Sequence, residues 1–176
     1  MKVTIIANLS ANGQLLLAEN PAHAAPQEAL AFFLQQANIK GNLIIGRKTF
    51  DVLQQFPGGV KAFFPNVEIV LLSRSNLNIE GYIVSDSPEH AVKYLTEKGF
   101  EEIIIGGGTN VYNEFLEKNL VTDIYFNYLP MIIGDGGVIG RSENLNIKFN
   151  IIEQKLLTDN IAQVHFQRND GFNEHD

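Results

Sequence analysis

The stretch Ile105-Gly106-Gly107-Gly108-Thr109 is the most informative part of the sequence, because it joins a predicted strand to a predicted helix. The apolar run 102–105 predicts the strand, and Tyr112 and Phe115 begin the pattern of one helical face. Consecutive glycines let a ligand approach the backbone where any Cβ would intrude. Val111 stands where the third glycine of a dinucleotide fingerprint would fall, and no Gly-Lys-Ser/Thr occurs, so both common phosphate-loop motifs are excluded.

Outward from this loop, apolar runs that predict strands alternate with segments of helical spacing. The predicted strands are 3–9, 42–45, 68–72, 82–84, 102–105, 123–129, 151–157 and 161–167. Thr158-Asp159-Asn160 separates the last two strands and indicates a hairpin. Helices between most of the earlier strands imply crossovers, and hence a mostly parallel sheet covered on both faces. The sequence therefore predicts a three-layer α/β sandwich with an antiparallel C-terminal hairpin.

The composition fits one globular domain, which we expect to span residues 1–168, followed by a flexible C-terminal tail at 169–176. The 176 residues are 45% hydrophobic and carry a formal net charge of −7. With no cysteine, the chain has no thiol nucleophile and no zinc-cysteine site. An acidic chain repels nucleic acids and anionic membranes, so neither is an expected partner. Any bound anion must therefore meet a local cluster of positive groups.

Apolar runs in the sequence are too short for a signal peptide or a membrane span. The N-terminal run 3–7 is interrupted at Asn8, Ser10 and Asn12. No run approaches the roughly 18 residues that a membrane helix requires. The sequence accordingly predicts a cytoplasmic protein.

Two further loops at predicted strand ends carry groups that bind anions. Gly46-Arg47-Lys48-Thr49-Phe50 opens a helix, where free N–H groups and the helix dipole favour negative charge. Arginine adds a planar fork of donors suited to phosphate, and lysine adds a mobile point charge. Leu72-Ser73-Arg74-Ser75 ends a central strand with hydroxyls and a guanidinium. A solvated basic pair and an ordinary polar loop are the alternative interpretations of these two segments.

Taken in order and spacing, the three loops resemble those of the dihydrofolate reductases. The segment 119–136, with Leu129-Pro130 and Ile133-Gly134-Asp135-Gly136, is more similar to the reductase domain of riboflavin biosynthesis, which shares that fold. The resemblance runs from Val3 to about Arg168 and implies NADPH as the hydride donor. It also implies a small heterocyclic substrate, either pterin-like or an aminopyrimidine.

The resemblance assigns cofactor roles to ten residues. It implies that Gly46, Arg47, Lys48 and Thr49 contact cofactor phosphates, while Ser73 and Arg74 lie near the adenosine ribose and its 2′-phosphate. It further implies a cis peptide at Gly106-Gly107 beneath the diphosphate, with Gly108 and Thr109 continuing that contact.

Two residues are candidates for the substrate side, and their roles also come from the resemblance. Dihydrofolate reductases carry an acid early in the first helix; Glu28 takes its place if Phe32 is aligned with their helix phenylalanine, and Ala29 does if Phe33 is. The dipole of the helix favours Glu28 in its first turn without any catalytic role. Asn127 corresponds to a threonine that touches the substrate ring, although it is also an ordinary polar residue for a strand.

The riboflavin-type reductases resemble this chain at Ser10-Ala11-Asn12-Gly13, where their pattern reads serine, any residue, aspartate, glycine, lysine. Asn12 replaces the aspartate and Gln14 the lysine. Arg141 is a candidate for a substrate phosphate or a solvated loop residue. The resemblance and the edge formed by the predicted hairpin also make a homodimer possible.

The sequence thus leaves two functions open. One is an NADPH-dependent reductase of the phosphoribosylaminouracil reductase or dihydrofolate reductase type. The other is an NADP(H)-binding module of the same fold without turnover, favoured by the uncertain acid at Glu28 and by the altered loop at 10–14. The four histidines show no metal-ligand spacing, so no metal is expected.

Overall fold

Eight strands form one sheet in the computed structural model, which describes residues 1–169. They are β1 (Lys2–Ser10), β2 (Asn42–Gly46), β3 (Glu68–Leu72), β4 (Ile83–Ser85), β5 (Glu102–Ile105), β6 (Asp123–Leu129), β7 (Phe149–Thr158) and β8 (Ile161–Arg168). Their order is β4-β3-β2-β5-β1-β6-β8-β7. Pairing is parallel from β4 through β6, and β8 is antiparallel to both β6 and β7. The predicted sandwich with an antiparallel C-terminal hairpin is confirmed.

Five α-helices and one 3-10 turn connect these strands. They are the 3-10 turn (Pro21–His23), α1 (Gln27–Lys40), α2 (Arg47–Gln54), α3 (Gly59–Phe63), α4 (Pro88–Glu97) and α5 (Thr109–Glu117). Sequence periodicity did not indicate α3, because five residues are too few for a helical repeat. Its first turn depends on a side chain of the preceding helix, since Gln54 Oε1 accepts the N–H of Val60 at 2.9 Å.

A hydrophobic core covers each face of the sheet. Alternate residues of β1 point to opposite faces, so Ile5 joins the core beneath α4 and α5 while Ile6 joins the core beneath α1, α2 and α3. Phe115 and Phe64 are the largest fully buried side chains, one on each face. Both layers of helices are therefore anchored by the central strands.

The pairing between β2 and β5 is short, and a side chain extends it. The ladder has one Cα register pair, Ile44 with Ile105. Towards the start of both strands, Asn42 Nδ2 donates to the carbonyl of Glu102 at 2.8 Å, and its Oδ1 accepts the N–H of Ile104 at 3.2 Å. Asn42 has no exposed surface, and its amide stands in for missing backbone bonds. The Asn42 side chain therefore holds β2 against β5 in the centre of the sheet.

Residues 170–176, which hold nearly all of the predicted tail, lie outside the described residues. Asn169 is described, and its backbone N–H donates to the carbonyl of Lys148 at 2.9 Å. Within residues 1–169, no helix combines the length and the apolar character needed to cross a membrane.

Replacing Asn42 by leucine should destabilise the protein. Leucine has a similar shape but leaves the Ile104 N–H and the Glu102 carbonyl buried without partners, which costs about 2 to 5 kcal/mol in total. Urea unfolding followed by circular dichroism measures this loss. The matched control is Asn78→Leu at an exposed position, where we expect a change within about 0.5 kcal/mol. Equal midpoints for the two variants would show that the amide does not hold β2 against β5.

Candidate active site

A cavity of about 910 Å³ lies where β1, β2, β3 and β5 end. Open α/β sheets bind ligands beyond the carboxyl ends of their strands, so the position is the expected one. All ten residues assigned to a cofactor by the resemblance line this cavity: Gly46, Arg47, Lys48, Thr49, Ser73, Arg74, Gly106, Gly107, Gly108 and Thr109. Parallel pairing brings their three loops together, because Gly46 lies opposite Leu72 and Ile44 lies opposite Ile105.

Two helices begin at the wall of the cavity with uncapped N-termini. Gly46 precedes α2 and Gly108 precedes α5, and neither glycine has a side chain to satisfy the first N–H groups. The backbone N–H of Gly46 donates to the carbonyl of Gly107 at 2.7 Å, which fixes one loop against the other. The cavity therefore faces the positive ends of two helix dipoles at once.

Gly106 and Gly107 are closely packed against side chains of α1 and α5. A Cβ on Gly106 would lie 2.6 Å from the Phe33 ring, and a Cβ on Gly107 would lie 3.1 Å from the Tyr112 hydroxyl. Gly107 also has a φ of 108°, which side-chain-bearing residues rarely adopt. The sequence prediction of a cis bond at Gly106-Gly107 is wrong by one residue, because the cis bond is Gly107-Gly108. Gly106 still follows the strand, since its N–H donates to the Ile44 carbonyl at 2.9 Å.

Four cationic side chains line the cavity, against the two carboxylates of Glu19 and Glu114. The cations are Arg47, Lys48, Arg74 and Arg141. Asp51 accepts from Nε of Arg47 at 2.7 Å, and Nη1 and Nη2 make no hydrogen bond within residues 1–169. Arg74 is paired with Glu114 at 2.9 Å while its side chain stays 77% exposed. Exposed pairs of this kind contribute little stability, so both guanidinium groups are available to a ligand.

The residues present fit a ligand that carries several phosphates. Two uncapped helix N-termini and four cations supply donors and positive charge within one cavity. Thr109 Oγ1 is buried and has no hydrogen-bond partner within the described residues. A buried hydroxyl without a partner costs free energy, and a bound acceptor would remove that cost.

Another part of the cavity wall is apolar. Ile6, Leu30, Phe33 and Leu53 line it, and Asn8 is the polar side chain that β1 places there. Tyr112 donates its hydroxyl proton to the carbonyl of Ile6 at 2.7 Å, and burial raises the pKa of that phenol. A flat organic ring would meet hydrophobic walls and one amide here.

Glu28, a predicted catalytic residue, does not line the cavity. Its side chain is exposed in the first turn of α1, whereas Ala29 has no exposed surface. Phe33 lines the cavity, while Phe32 packs on the Tyr125 ring with centroids 5.3 Å apart. Phe33 is therefore the aromatic residue on the cavity face of α1. The placement agrees with the alignment that puts Ala29, rather than Glu28, at the position of the acid.

Asn127, the other predicted catalytic residue, is fully buried and does not line the cavity either. Its Nδ2 donates to Asn8 Oδ1 at 3.0 Å, so Asn127 reaches the cavity only through Asn8. Sequence reasoning did not select Asn8 as a site residue. The available signal was a polar residue that interrupts the apolar run of the first strand.

A loop from Leu15 to Ala25 closes one side of the cavity and is fixed by His23. The ring of His23 is 1% exposed; its Nδ1 accepts the N–H of Leu17 at 3.0 Å, and its Nε2 donates to Asp135 at 2.8 Å. This hydrogen bond lowers the pKa of Asp135. His23 is a second residue that the sequence analysis did not select, because its role depends on Asp135, far along the chain.

Asn12 and Gln14, the two residues that differ from the riboflavin-type pattern, each form a hydrogen bond within the protein. Asn12 Nδ2 donates to the Ile133 carbonyl at 2.8 Å, and Gln14 Oε1 accepts the N–H of Gly136 at 2.7 Å. Neither side chain lines the cavity.

Arg141 does line the cavity and donates from Nη1 to Asn110 at 3.0 Å. In the part of the chain that the structure describes, no group of three acidic or histidine side chains could hold a metal ion.

Comparison with known proteins identifies relatives of this fold. A family model described as dihydrofolate reductase matches residues 3–130. A search of curated proteins gives no match.

Three solved structures cover 96% of this chain. A putative riboflavin biosynthesis protein from Shewanella sp. PV-4 is 21% identical, with a TM-score of 0.72 and 99% of its own chain covered. Dihydrofolate reductase from Enterococcus faecalis, complexed with NADP(H) and RAB-propyl, is 18% identical, with a TM-score of 0.72 and 97% covered. A pyrimidine reductase-like protein from Corynebacterium diphtheriae is 16% identical, with a TM-score of 0.74 and 92% covered. At these identities the likeness establishes the fold.

Replacing Gly107 by alanine should damage the cavity wall as well as the stability. The positive φ costs about 1 to 2 kcal/mol, and the contact with Tyr112 adds about 1 to 3 kcal/mol. Gly99→Ala is the matched control, because its φ is 92° and its Cβ would meet nothing within 4 Å. Thermal unfolding should place Gly107→Ala below Gly99→Ala. Identical melting temperatures would contradict the close packing of this loop.

Proposed function

Since the match over residues 3–130 shows that this chain belongs to the dihydrofolate reductase family, we propose that it is an NADPH-dependent reductase of a small heterocycle. The observation that carries the proposal is the mixed lining of the cavity. Cations and helix N-termini line it together with apolar side chains. A phosphorylated cofactor and a flat ring substrate would each find matching chemistry there.

The chain's own residues would hold the cofactor by charge and by backbone donors. Arg47 and Arg74 offer guanidinium groups to phosphate, and the N-termini of α2 and α5 offer free N–H groups. The hydroxyls of Thr49 and Ser73 add further donors. NADPH would supply the hydride for reduction of a C=N or C=O carbon.

At the substrate end, the protein would position a ring between hydrophobic side chains. Phe33 and Leu30 of α1 and Ile6 of β1 line this part of the cavity. Confinement against these walls orients a flat substrate, and orientation of the reacting groups lowers the entropic part of the barrier to hydride transfer. Both pterin-like and aminopyrimidine rings satisfy these demands. The proposed substrate class therefore includes both.

A cofactor-binding module without turnover is the second candidate. The observation that favours it is the absence of a carboxylate from α1 at the apolar end of the cavity, where Ala29 is buried and Glu28 is exposed. A module of this kind would keep the phosphate-binding end intact. It would bind NADPH and leave it unoxidised.

Titration with NADPH tests whether the cofactor binds. We expect a saturable rise in nicotinamide fluorescence at micromolar NADPH, because donors and cations converge on the cavity. Absorbance at 340 nm should then fall when dihydrofolate or a phosphoribosylaminopyrimidinone is added. Absence of saturable binding would overturn the proposal, and binding without oxidation across both substrate classes would favour the module.

We further propose that Arg47, like Arg74, reaches the 2′-phosphate of the adenosine, so replacing Arg47 by alanine should weaken NADPH far more than NADH. A charge-assisted bond to the 2′-phosphate is worth about 1.5 to 3 kcal/mol, or roughly 10- to 150-fold in affinity, and NADH lacks that group. Fluorescence titration gives both dissociation constants. The matched control is Arg141→Ala, another arginine that lines the cavity, for which we expect equal losses with the two cofactors. Equal losses in Arg47→Ala would show that this arginine does not read the 2′-phosphate.

A further inference from the structure

Three carboxamide side chains form a continuous row across β1, β6 and β8. Asn8 lies opposite Asn127 in the β1–β6 register, and Asn127 lies opposite Gln163 in the β6–β8 register. Gln163 Nε2 donates to Asn127 Oδ1 at 2.8 Å, and Asn127 Nδ2 donates to Asn8 Oδ1 at 3.0 Å. Asn127 is fully buried and Gln163 is 2% exposed, so the row leads from the interior to the cavity.

The direction of the row follows from the cost of unpaired groups. At its inner end, Gln163 Oε1 is buried without a hydrogen-bond partner in residues 1–169. Reversing all three amides would instead bury N–H groups of Gln163 without a partner. Buried N–H groups are left unpaired less often than buried carbonyl oxygens, and Gln163 Nε2 carries two hydrogens that reversal would leave without an acceptor. The observed direction is therefore the favourable one.

This direction determines what Asn8 presents to the cavity. Because Oδ1 of Asn8 accepts from Asn127, its Nδ2 is left as the outward, accessible group, and it donates no hydrogen bond within the described residues. Among the other residues that line the cavity, Ile6 and Phe33 offer no acceptor side chain. An unpaired donor in an apolar setting gains most from a neutral acceptor on a ligand.

The charged side chains of the cavity also favour a neutral ligand beside Asn8. Its two carboxylates are engaged elsewhere: Glu114 pairs with Arg74 at 2.9 Å, and Glu19 lies 3.9 Å from Lys48. Neither is on β1 or α1, which supply the apolar walls. A protonated, amino-substituted ring would meet a donor and no carboxylate at that end. Removing the charged ring from water costs free energy, and no carboxylate in that part of the cavity would offset this cost.

We propose that Asn8 recognises the substrate by donating from Nδ2 to a carbonyl oxygen of a neutral ring, and that Asn127 and Gln163 hold the amide in this direction. Asn8 is the specificity-determining residue, and Asn127 and Gln163 are positioning residues. The proposal rests on the proposed function for the location of the substrate. The proposed hydrogen bond distinguishes rings that carry a carbonyl acceptor from rings that carry an amino group, and it does not distinguish one heterocycle from another.

A matched pair of probes tests this selection. The ligands 6-aminouracil and 2,4,6-triaminopyrimidine share one ring and differ in carrying oxygen or amino groups at positions 2 and 4. Ligand-observed NMR titration of the protein without cofactor gives both dissociation constants. We expect the wild type to prefer 6-aminouracil by about tenfold or more, as one hydrogen bond exchanged for a donor-donor clash implies.

Asn8→Asp should reverse that preference, because a carboxylate accepts from amino groups and attracts a protonated ring. The ratio of the two dissociation constants should shift by about 100-fold. Asn110→Asp is the matched control, since it places the same charge beside Arg141 in another part of the same cavity. There the probe ratio should stay within about threefold of the wild-type value.

Asn127→Leu tests the positioning of the amide without touching a ligand. With no partner for Asn8 Oδ1, the amide can present either atom to the cavity, so the probe ratio should fall towards one. A purely structural role would lower the melting temperature and leave the ratio unchanged. Should this variant fail to fold, Asn8→Asp still decides the proposal.

An unchanged ratio in Asn8→Asp, an equal affinity of the wild type for both probes, or binding of neither probe would overturn the inference. A change in NADPH affinity of Asn8→Asp without a change in the probe ratio would also overturn it, because the amide would then face the cofactor. Failure of NADPH to bind the wild type contradicts the proposed function instead. The two failures are thus distinguishable, since the probe titrations contain no NADPH.

Discussion

The short junction between β2 and β5 is the constraint on which the cavity depends. The Gly106 N–H donates to the Ile44 carbonyl, and the Gly46 N–H donates to the Gly107 carbonyl at 2.7 Å. These two bonds join the ends of neighbouring parallel strands just where each chain turns into a helix. The N-termini of α2 and α5 consequently face the same space. Without that junction, two separate loops would each present a weak anion site.

Positive charge in this acidic chain is concentrated by topology rather than by composition. The net charge is −7, yet four cations and two helix N-termini line one cavity. Loops from three different parts of the chain supply these groups, and only the parallel order of β3, β2 and β5 brings them together. A local field of this kind can select a phosphorylated ligand while the rest of the surface repels polyanions.

Most of the fold could be predicted from sequence because burial in this sheet follows simple patterns. Strands 68–72, 102–105 and 123–129 have the bounds that the sequence predicts. Helix α3 was missed because its start depends on Gln54, a tertiary contact rather than a periodicity.

The candidate site was less predictable on its substrate side than on its phosphate side. Phosphate-binding loops are local, since glycine and cationic residues act from one short segment. Recognition by Asn8 depends on partners at 127 and 163, which pairing across three strands brings together. The choice between Glu28 and Ala29 depended on which face α1 buries, and adjacent phenylalanines at 32 and 33 make that face ambiguous in the sequence. The orientation of α1 in the folded protein settles that Phe33, and not Phe32, lines the cavity.

The C-terminal hairpin has a consequence for how this protein can change over evolutionary time. Gln163 lies on β8, outside the cavity, yet its amide is the inner end of a row that finishes at Asn8. A replacement at 163 would leave Asn127 Oδ1 buried without its donor, so a single substitution along the row costs more than a joint substitution that keeps the amides paired. The three positions are expected to vary together among descendants of this chain. Selection on the chemistry of the cavity thereby reaches a strand that does not line it.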